Sequence, residues 1–332
     1  AHDFLRTAVA AAFVPDEGKR DKLRLQLADD FERQPVSARS CDELPWLLWQ
    51  TESFVRLRAC LLNIDRFLQI HKRDQEELMR HWVGLKEERT MGRAYVDSFE
   101  AWSRAPGRKA TRLSYAANQL AIFLNAAALP AETEPLMRSA LAIGERSFGP
   151  EHYNVAGALN NLAQLLQDTN RLGEAEPLMR RALAIWEKNL GSEHPEVAIA
   201  LVNLAGLLQA ANRLAEAEPL FRRGLTIFEK SLGPEHRNVA IALNQLATLY
   251  CGTSRWAEAE PLFRRALAID EHSFGPEHPG VAIGLYNLAR WLQETNRLAE
   301  AEPLIRRALA IEQAIEALEQ VRRAGEEAAG PE

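Results

Sequence analysis

Two series of side chains in this chain have the composition of a chemical site. His152, His194, His236 and His278 recur at one spacing, and imidazoles in register are a metal-ligand pattern. Arg180-Arg181, Arg222-Arg223, Arg264-Arg265 and Arg306-Arg307 recur in the same way and would suit a row of phosphates. Elementary geometry argues against both. Successive copies in a layered helical array stand about 10 Å apart, the interaxial spacing of packed helices, which is too far to share one ion. The histidines are therefore read as connector residues. Each arginine pair follows a glutamate (Glu176, Glu218, Glu260, Glu302) placed four residues before its first member. That is the favourable order for an ion pair within one helix, so the pairs are read as a solvated, self-paired outer face.

No other constellation replaces them. Nucleophile, base and orienter do not converge, and no Gly-x-x-x-x-Gly-Lys-Ser/Thr loop occurs; "EGKRD" at 17–21 is not one. The sequence predicts no enzyme activity, no metal and no cofactor in this chain. Its 332 residues carry a formal charge of −6, with 47% hydrophobic and 26% charged residues, the balance of a globular protein. An acidic chain gives no reason to expect nucleic acid or an anionic membrane as partner. Cys41, Cys60 and Cys251 are too few for a disulfide framework, which points to a reducing, cytoplasmic setting. The apolar run Ala8–Val14 has no basic leader and is not read as a signal peptide; the opening looks like mid-helix, so a piece of a longer protein is expected.

What positions these residues is a repeat. Glu151, Glu193, Glu235 and Glu277 stand 42 residues apart; so do Asn161, Asn203, Gln245 and Asn287, and Pro135, Pro177, Pro219, Pro261 and Pro303. Each unit holds two helical stripes. In the fourth, Val239, Leu243, Leu246, Ala247 and Tyr250 mark one face, and after "CGTSR" Ala259, Leu262, Phe263, Ala266 and Leu267 mark another. One hairpin cannot cover both stripes, so neighbours must stack. Gly233 suits a helix C-terminus, Pro195 and Pro279 suit a first turn, and Pro177, Pro219 and Pro261 predict second helices starting near Glu174, Glu216 and Glu258.

With Ala247, Tyr250, Ala259, Phe263 and Ala266 at their spacings, the unit resembles the tetratricopeptide repeat, and the longer connector "EKSLGPEHRNVA" resembles its kinesin light chain subclass. The resemblance covers about residues 110 to 312. It implies an all-α fold, a right-handed α-α superhelix (solenoid) of about five repeats: 110–150, 151–192, 193–234, 235–276 and 277–312. It also implies a concave groove, lined by each first helix, that takes a peptide or partner protein. Carried over position by position, the groove residues are Tyr115, Ile199, Ile241 and Ile283; Asn118, Asn160, Asn244 and Tyr286; Asn161, Asn203, Gln245 and Asn287; Gln164, Thr248 and Arg290; and Gln167, Gln209 and Gln293. Side-chain amides both donate and accept, so such columns can pair with any peptide backbone. The basic residues that grip a terminal carboxylate in some members are missing, since Arg290 stands nearly alone.

Residues 1–105 lack the period. Leu44, Leu47 and Leu48, then Phe54, Leu57, Leu61 and Leu62, suggest two short packed helices; Phe67 with Leu68, and Leu78 with Trp82, suggest two more. Trp46, Trp49 and Trp82 are read as core. The run around residues 40–85 resembles a helical segment that joins the ATPase core to 42-residue repeats in signal-transduction ATPases of the nephrocystin type. That implies a sensor half lacking the ATPase itself. At the other end, residues 313–332 are read as a capping helix and frayed tail, with Ile311, Ile315 and Leu318 continuing one stripe. The expected function is a protein-binding sensor or scaffold; the alternative is a self-assembly module, giving a homo-oligomer of the parent protein.

Overall fold

A computed structural model describes residue 14 and residues 16–328. Most of the Ala8–Val14 run and the last four residues of the tail lie outside the described residues, as do the side chains of Ile315 and Leu318. The described residues form sixteen helices and no strand. They fall into two compact units, Ala1–Leu165 and Leu166–Glu332.

In the first unit, α1 (Glu17–Arg33), α2 (Ala38–Gln50), α3 (Phe54–Leu61), α4 (Ile64–Arg73), α5 (Gln75–Leu85) and α6 (Glu88–Ser103) precede the first hairpin, α7 (Ala110–Ala126) and α8 (Pro130–Phe148). The four helices expected between Leu44 and Trp82 are present as α2 to α5. Their core is aromatic. Phe67, Tyr95 and Phe123 meet pairwise with ring centroids 5.1–5.8 Å apart, and Trp82 adds its edge to Tyr95 at 5.6 Å. Trp82 Nε1 donates to Tyr95 Oη, which donates to the Leu61 carbonyl, both at 3.2 Å, so neither buried polar tip is orphaned. The expectation of a tryptophan core holds for Trp82 alone. Trp49 is 36% exposed and lies over Gly84, where a Cβ would come within 2.3 Å of the indole, and Trp46 is half-buried. Phe54, placed in a core stripe by its spacing, is instead exposed beside Trp49 at 5.6 Å.

α9 (Tyr153–Asp168) carries the division between the units. The second unit continues with α10 (Leu172–Leu190), α11 (Pro195–Ala210), α12 (Leu214–Leu232), α13 (Arg237–Gly252), α14 (Trp256–Phe274), α15 (Pro279–Glu294) and α16 (Leu298–Ala328). Helix stops are written by glycine: Gly191, Gly233 and Gly275 cap with φ between 86° and 93° and ψ near 155°, a region essentially closed to side-chain-bearing residues. Helix starts are written by histidine. His194, His236 and His278 stand at the N-cap, and each Nδ1 accepts the N–H two residues on, at 3.0–3.2 Å. His152 does the same for Asn154. Pro195 and Pro279 then open their helices, as their fixed φ allows.

The prolines of the second helices are a correction. These helices begin at Leu172, Leu214 and Trp256, two residues earlier than expected, so Pro177, Pro219 and Pro261 sit inside the helix. The first four N–H groups are the unpaired ones, and a proline at the sixth position removes a bond the helix would otherwise make. The early start follows from the turn, where Asn170, Asn212, Ser254 and Asn296 adopt left-handed φ near 60° and reverse the chain at once.

Candidate interaction surface

Each first helix has one wholly apolar stripe and one that is not. In α13, Val239, Leu243, Leu246, Ala247 and Tyr250 are buried. The other face carries Ile241, Asn244, Gln245 and Thr248. Ile241 is 43% exposed and Ile283, its counterpart in α15, 64%. Ile199 is half-buried, as are Gln167, Asn203, Gln209, Asn244, Gln245, Tyr286 and Asn287; Gln293 is exposed. Asn244 Oδ1 and Gln245 Oε1 are buried and have no hydrogen-bond partner among the described residues. Two polar members of the face are already engaged: Thr248 Oγ1 donates to the Asn244 carbonyl at 2.8 Å, and Arg290 pairs with Glu294 at 3.2 Å.

In the first unit, Tyr115 is 48% exposed, Gln164 is exposed, and Asn118 and Asn161 are half-buried. Asn161 Nδ2 donates to Asn118 Oδ1 at 3.0 Å, joining the first helices of successive repeats. Asn160 departs from its expected place. At 5% exposure it is a core amide, its position facing inward like the buried Val202 one repeat later.

Two features escaped sequence reasoning. The first is acidic: Asp270 and Glu312 occupy a column that holds Trp186 and Phe228 in earlier repeats, a departure visible once the repeats are aligned. Glu312 Oε2 accepts from Tyr286 Oη at 3.0 Å. Asp270 is half-buried, and burial holds its carboxyl above the usual aspartate range against the pull of Arg237 and His278. The second is the destination of the second arginine of each pair. Arg180, Arg222, Arg264 and Arg306 bind the glutamate of their own helix as expected. Arg223, Arg265 and Arg307 bind Glu187, Glu229 and Glu271 of the preceding repeat instead. The outer face is thus cross-braced between repeats as well as self-paired.

Burial raises all three thiols, Cys60 to about 12 and Cys251 to about 11, which favours their protonated form at neutral pH. Among the described residues no cluster of three or more metal-ligating side chains exists, and no helix is long and apolar enough to cross a membrane.

Residues 25–231 match the model of the nephrocystin-3 TPR domain, and residues 196–272 and 238–314 match tetratricopeptide repeats. The chain belongs to the nephrocystin-3 TPR domain family. Nephrocystin-3 of Mus musculus is 31% identical over 141 residues, 41% of this chain and 11% of that protein; the Homo sapiens protein is 36% identical over 138 residues, 40% and 10%. The chain therefore spans about a tenth of the length of the curated relatives it matches. Among solved structures, the nearly identical TPR-like repeats of a Podosopora anserina kinesin light chain share 27% identity at TM-score 0.52, covering 63% of this chain and 98% of that one. BtubC (BKLC) of P. vanneervenii shares the fold at TM-score 0.57 and 22% identity, covering 70% and 92%. The fold is an all-α solenoid of tetratricopeptide type, generally a protein-protein interaction fold. The family match begins within α1 and ends at residue 231, so it covers α2 to α6 as well as the earlier repeats.

Proposed function

We propose that this chain binds a peptide or a segment of a partner protein on the face made by the first helices of its repeats. One observation carries the proposal. Ile241 and Ile283 are exposed on the face that also carries the half-buried amides of Asn244 and Gln245. An extended peptide supplies backbone N–H and C=O groups for such amides and apolar side chains for the isoleucines together. In the parent protein this face serves as the ligand-sensing part of a larger signalling ATPase. The helices up to residue 105 are its adaptor, and the setting is cytoplasmic. The ATPase and adaptor parts of this reading rest on the resemblance of residues 40–85, and the cytoplasmic setting on the sparse cysteines.

A second reading has its own observation. Trp49, Phe54, Val55 and Val83 are exposed on the N-terminal helices, Val55 at 85%, and exposed apolar surface of this kind marks association sites. It supports self-assembly of the parent through these helices. A photo-crosslinking amino acid at position 241, at 55 or at outer-face position 222 separates the two in host lysate. Foreign protein captured from 241 alone supports the repeat face. Self-capture from 55, with nothing specific at 241, replaces it with assembly.

A further inference from the structure

Glu312 stands to Tyr286 as Asp270 stands to Asn244, 26 positions on in each case. In the last repeat the acid has a donor, the tyrosine hydroxyl. One repeat earlier the same column pairs an acid with an amide whose Oδ1 is a buried, unpartnered acceptor. Gln245 Oε1 beside it is a second. A Cβ built on Gly284 would lie 3.8 Å from Asp270 Oδ2, so the carboxylate faces bare backbone of α15 where other repeats carry Ala200 and Ala242. No hydrogen bond or ion pair of Asp270 is formed among the described residues, although Arg237 and His278 lie within electrostatic reach. Arg290, the other cation of this face, is held by Glu294. The half-buried Asp270 carboxylate therefore faces the α15 backbone without a hydrogen-bonded partner, near two exposed isoleucines, with Arg237 and His278 acting on it only at a distance.

A half-buried carboxylate without a hydrogen-bonded partner selects a ligand that brings a charged donor. Lysine and arginine side chains carry only donors and a positive charge, and a carboxylate away from bulk water binds them more strongly than one at the surface. We infer that the partner segment seated on α13 and α15 is basic-aliphatic: a lysine or arginine reaches Asp270, and flanking aliphatic side chains cover Ile241 and Ile283. A segment with glutamate at that position is excluded by like charge. This inference rests on the peptide-binding reading above and adds the chemistry of the peptide.

The test is a positional-scanning library of random octapeptides presented to the purified chain and to Asp270→Asn, Asp270→Phe and Ile283→Ser variants. Asp270→Phe restores the residue type of Phe228, so its folding is safeguarded by the equivalent repeat. Lysine or arginine enriched at least tenfold over norleucine at one position, and that enrichment lost in both Asp270 variants while aliphatic preferences persist, is the expected result. Binding peptides with no basic preference, or a preference unchanged in both Asp270 variants, would overturn the inference and leave the peptide-binding face standing. No selected peptide at all, or selection unaffected by Ile283→Ser, would remove both.

Discussion

Arg265 and Glu229 meet across a repeat boundary, Nη1 to Oε1 at 2.6 Å, and Arg265 Nη2 also donates to the Pro234 carbonyl at 3.1 Å. Arg307 repeats the arrangement with Glu271 and Pro276, and Arg223 with Glu187 and Ser192. A planar fork that binds a carboxylate and a connector carbonyl together fixes the distance between adjacent repeats. Because both side chains are about one-third exposed, each bridge contributes on the order of 0.5–1 kcal/mol and is screened by salt. Arg265→Lys keeps the charge but not the fork. It should lower the melting temperature by about 1–3 °C at low salt, with the difference shrinking in 1 M salt. A salt-independent loss, or none, would deny the bridge its role.

Acid should loosen this chain in two stages. The Arg180 and Arg213 hydrogen bonds hold Glu176 below the usual glutamate range. Burial pushes Glu218 up, but Arg255 and Arg222 outweigh it; Arg297 then Arg264 lower Glu260 against its burial. A carboxylate with a depressed folded pKa adds stability above its unfolded pKa, about 4.3, and that stability is lost as pH falls through the folded value. Asp270, raised by burial, works in the opposite sense near the same window. His71 acts higher. Burial lowers its pKa although Gln119 opposes, so protonation favours the unfolded chain once pH drops below about 6.5. Melting temperature should be flat above pH 7, decline gently below 6.5 and steeply below about 4.5. His71→Gln should remove the gentle decline and Arg213→Ala should soften the steep one; melts across pH 3.5 to 8 decide both.

Histidine as a recurrent N-cap makes a local prediction. His236 Nδ1 accepts the Asn238 N–H at 3.1 Å, so that nitrogen carries no proton and the imidazole substitutes for the usual short polar cap. His236→Ala should cost about 1 kcal/mol, and His236→Asn should recover most of it, because asparagine caps by the same bond. Hydrogen exchange at the first turn of α13 would locate the effect. Equal exchange in both variants would mean the contact is incidental.

How much of this was legible depends on the range of each signal. The 42-residue period, the glycine stops and Pro195 are local, and a chain that repeats itself writes them several times. The amide and isoleucine columns came from the resemblance to the tetratricopeptide repeat, which the period allowed to be applied position by position. Arg265–Glu229 could not, since its partners are 36 residues apart and helix spacing rules speak only of neighbours three or four away. Pro177 misled because proline at a first turn is common, whereas here the left-handed Asn170 starts the helix sooner. Trp49 and Phe54 sit at core spacing but face outward, which apolar periodicity alone cannot distinguish from burial. Asp270 was open to view: an acid stands where two earlier repeats carry aromatics.

Two glycines should respond to the same substitution with opposite signs. Gly173, the second residue of α10, has nothing within 4 Å of an added Cβ, so Gly173→Ala restricts only the unfolded chain and should raise stability by about 0.5 kcal/mol. Gly224 in α12 is buried, and its Cβ would meet Val202 Cγ2 at 2.7 Å and the Ala198 carbonyl at 3.2 Å. Valine is stiff at χ1 and the carbonyl belongs to a helix, so neither yields easily. The strain, about 1–3 kcal/mol for overpacking, should exceed the gain of about 1 kcal/mol in helix propensity, and Gly224→Ala should lower the melting temperature. Val202→Ala removes the principal obstacle. In that background Gly224→Ala should cost clearly less than it does alone, a coupling read from the double-mutant cycle by urea unfolding. Additive effects would place the strain elsewhere than at the contact between α11 and α12.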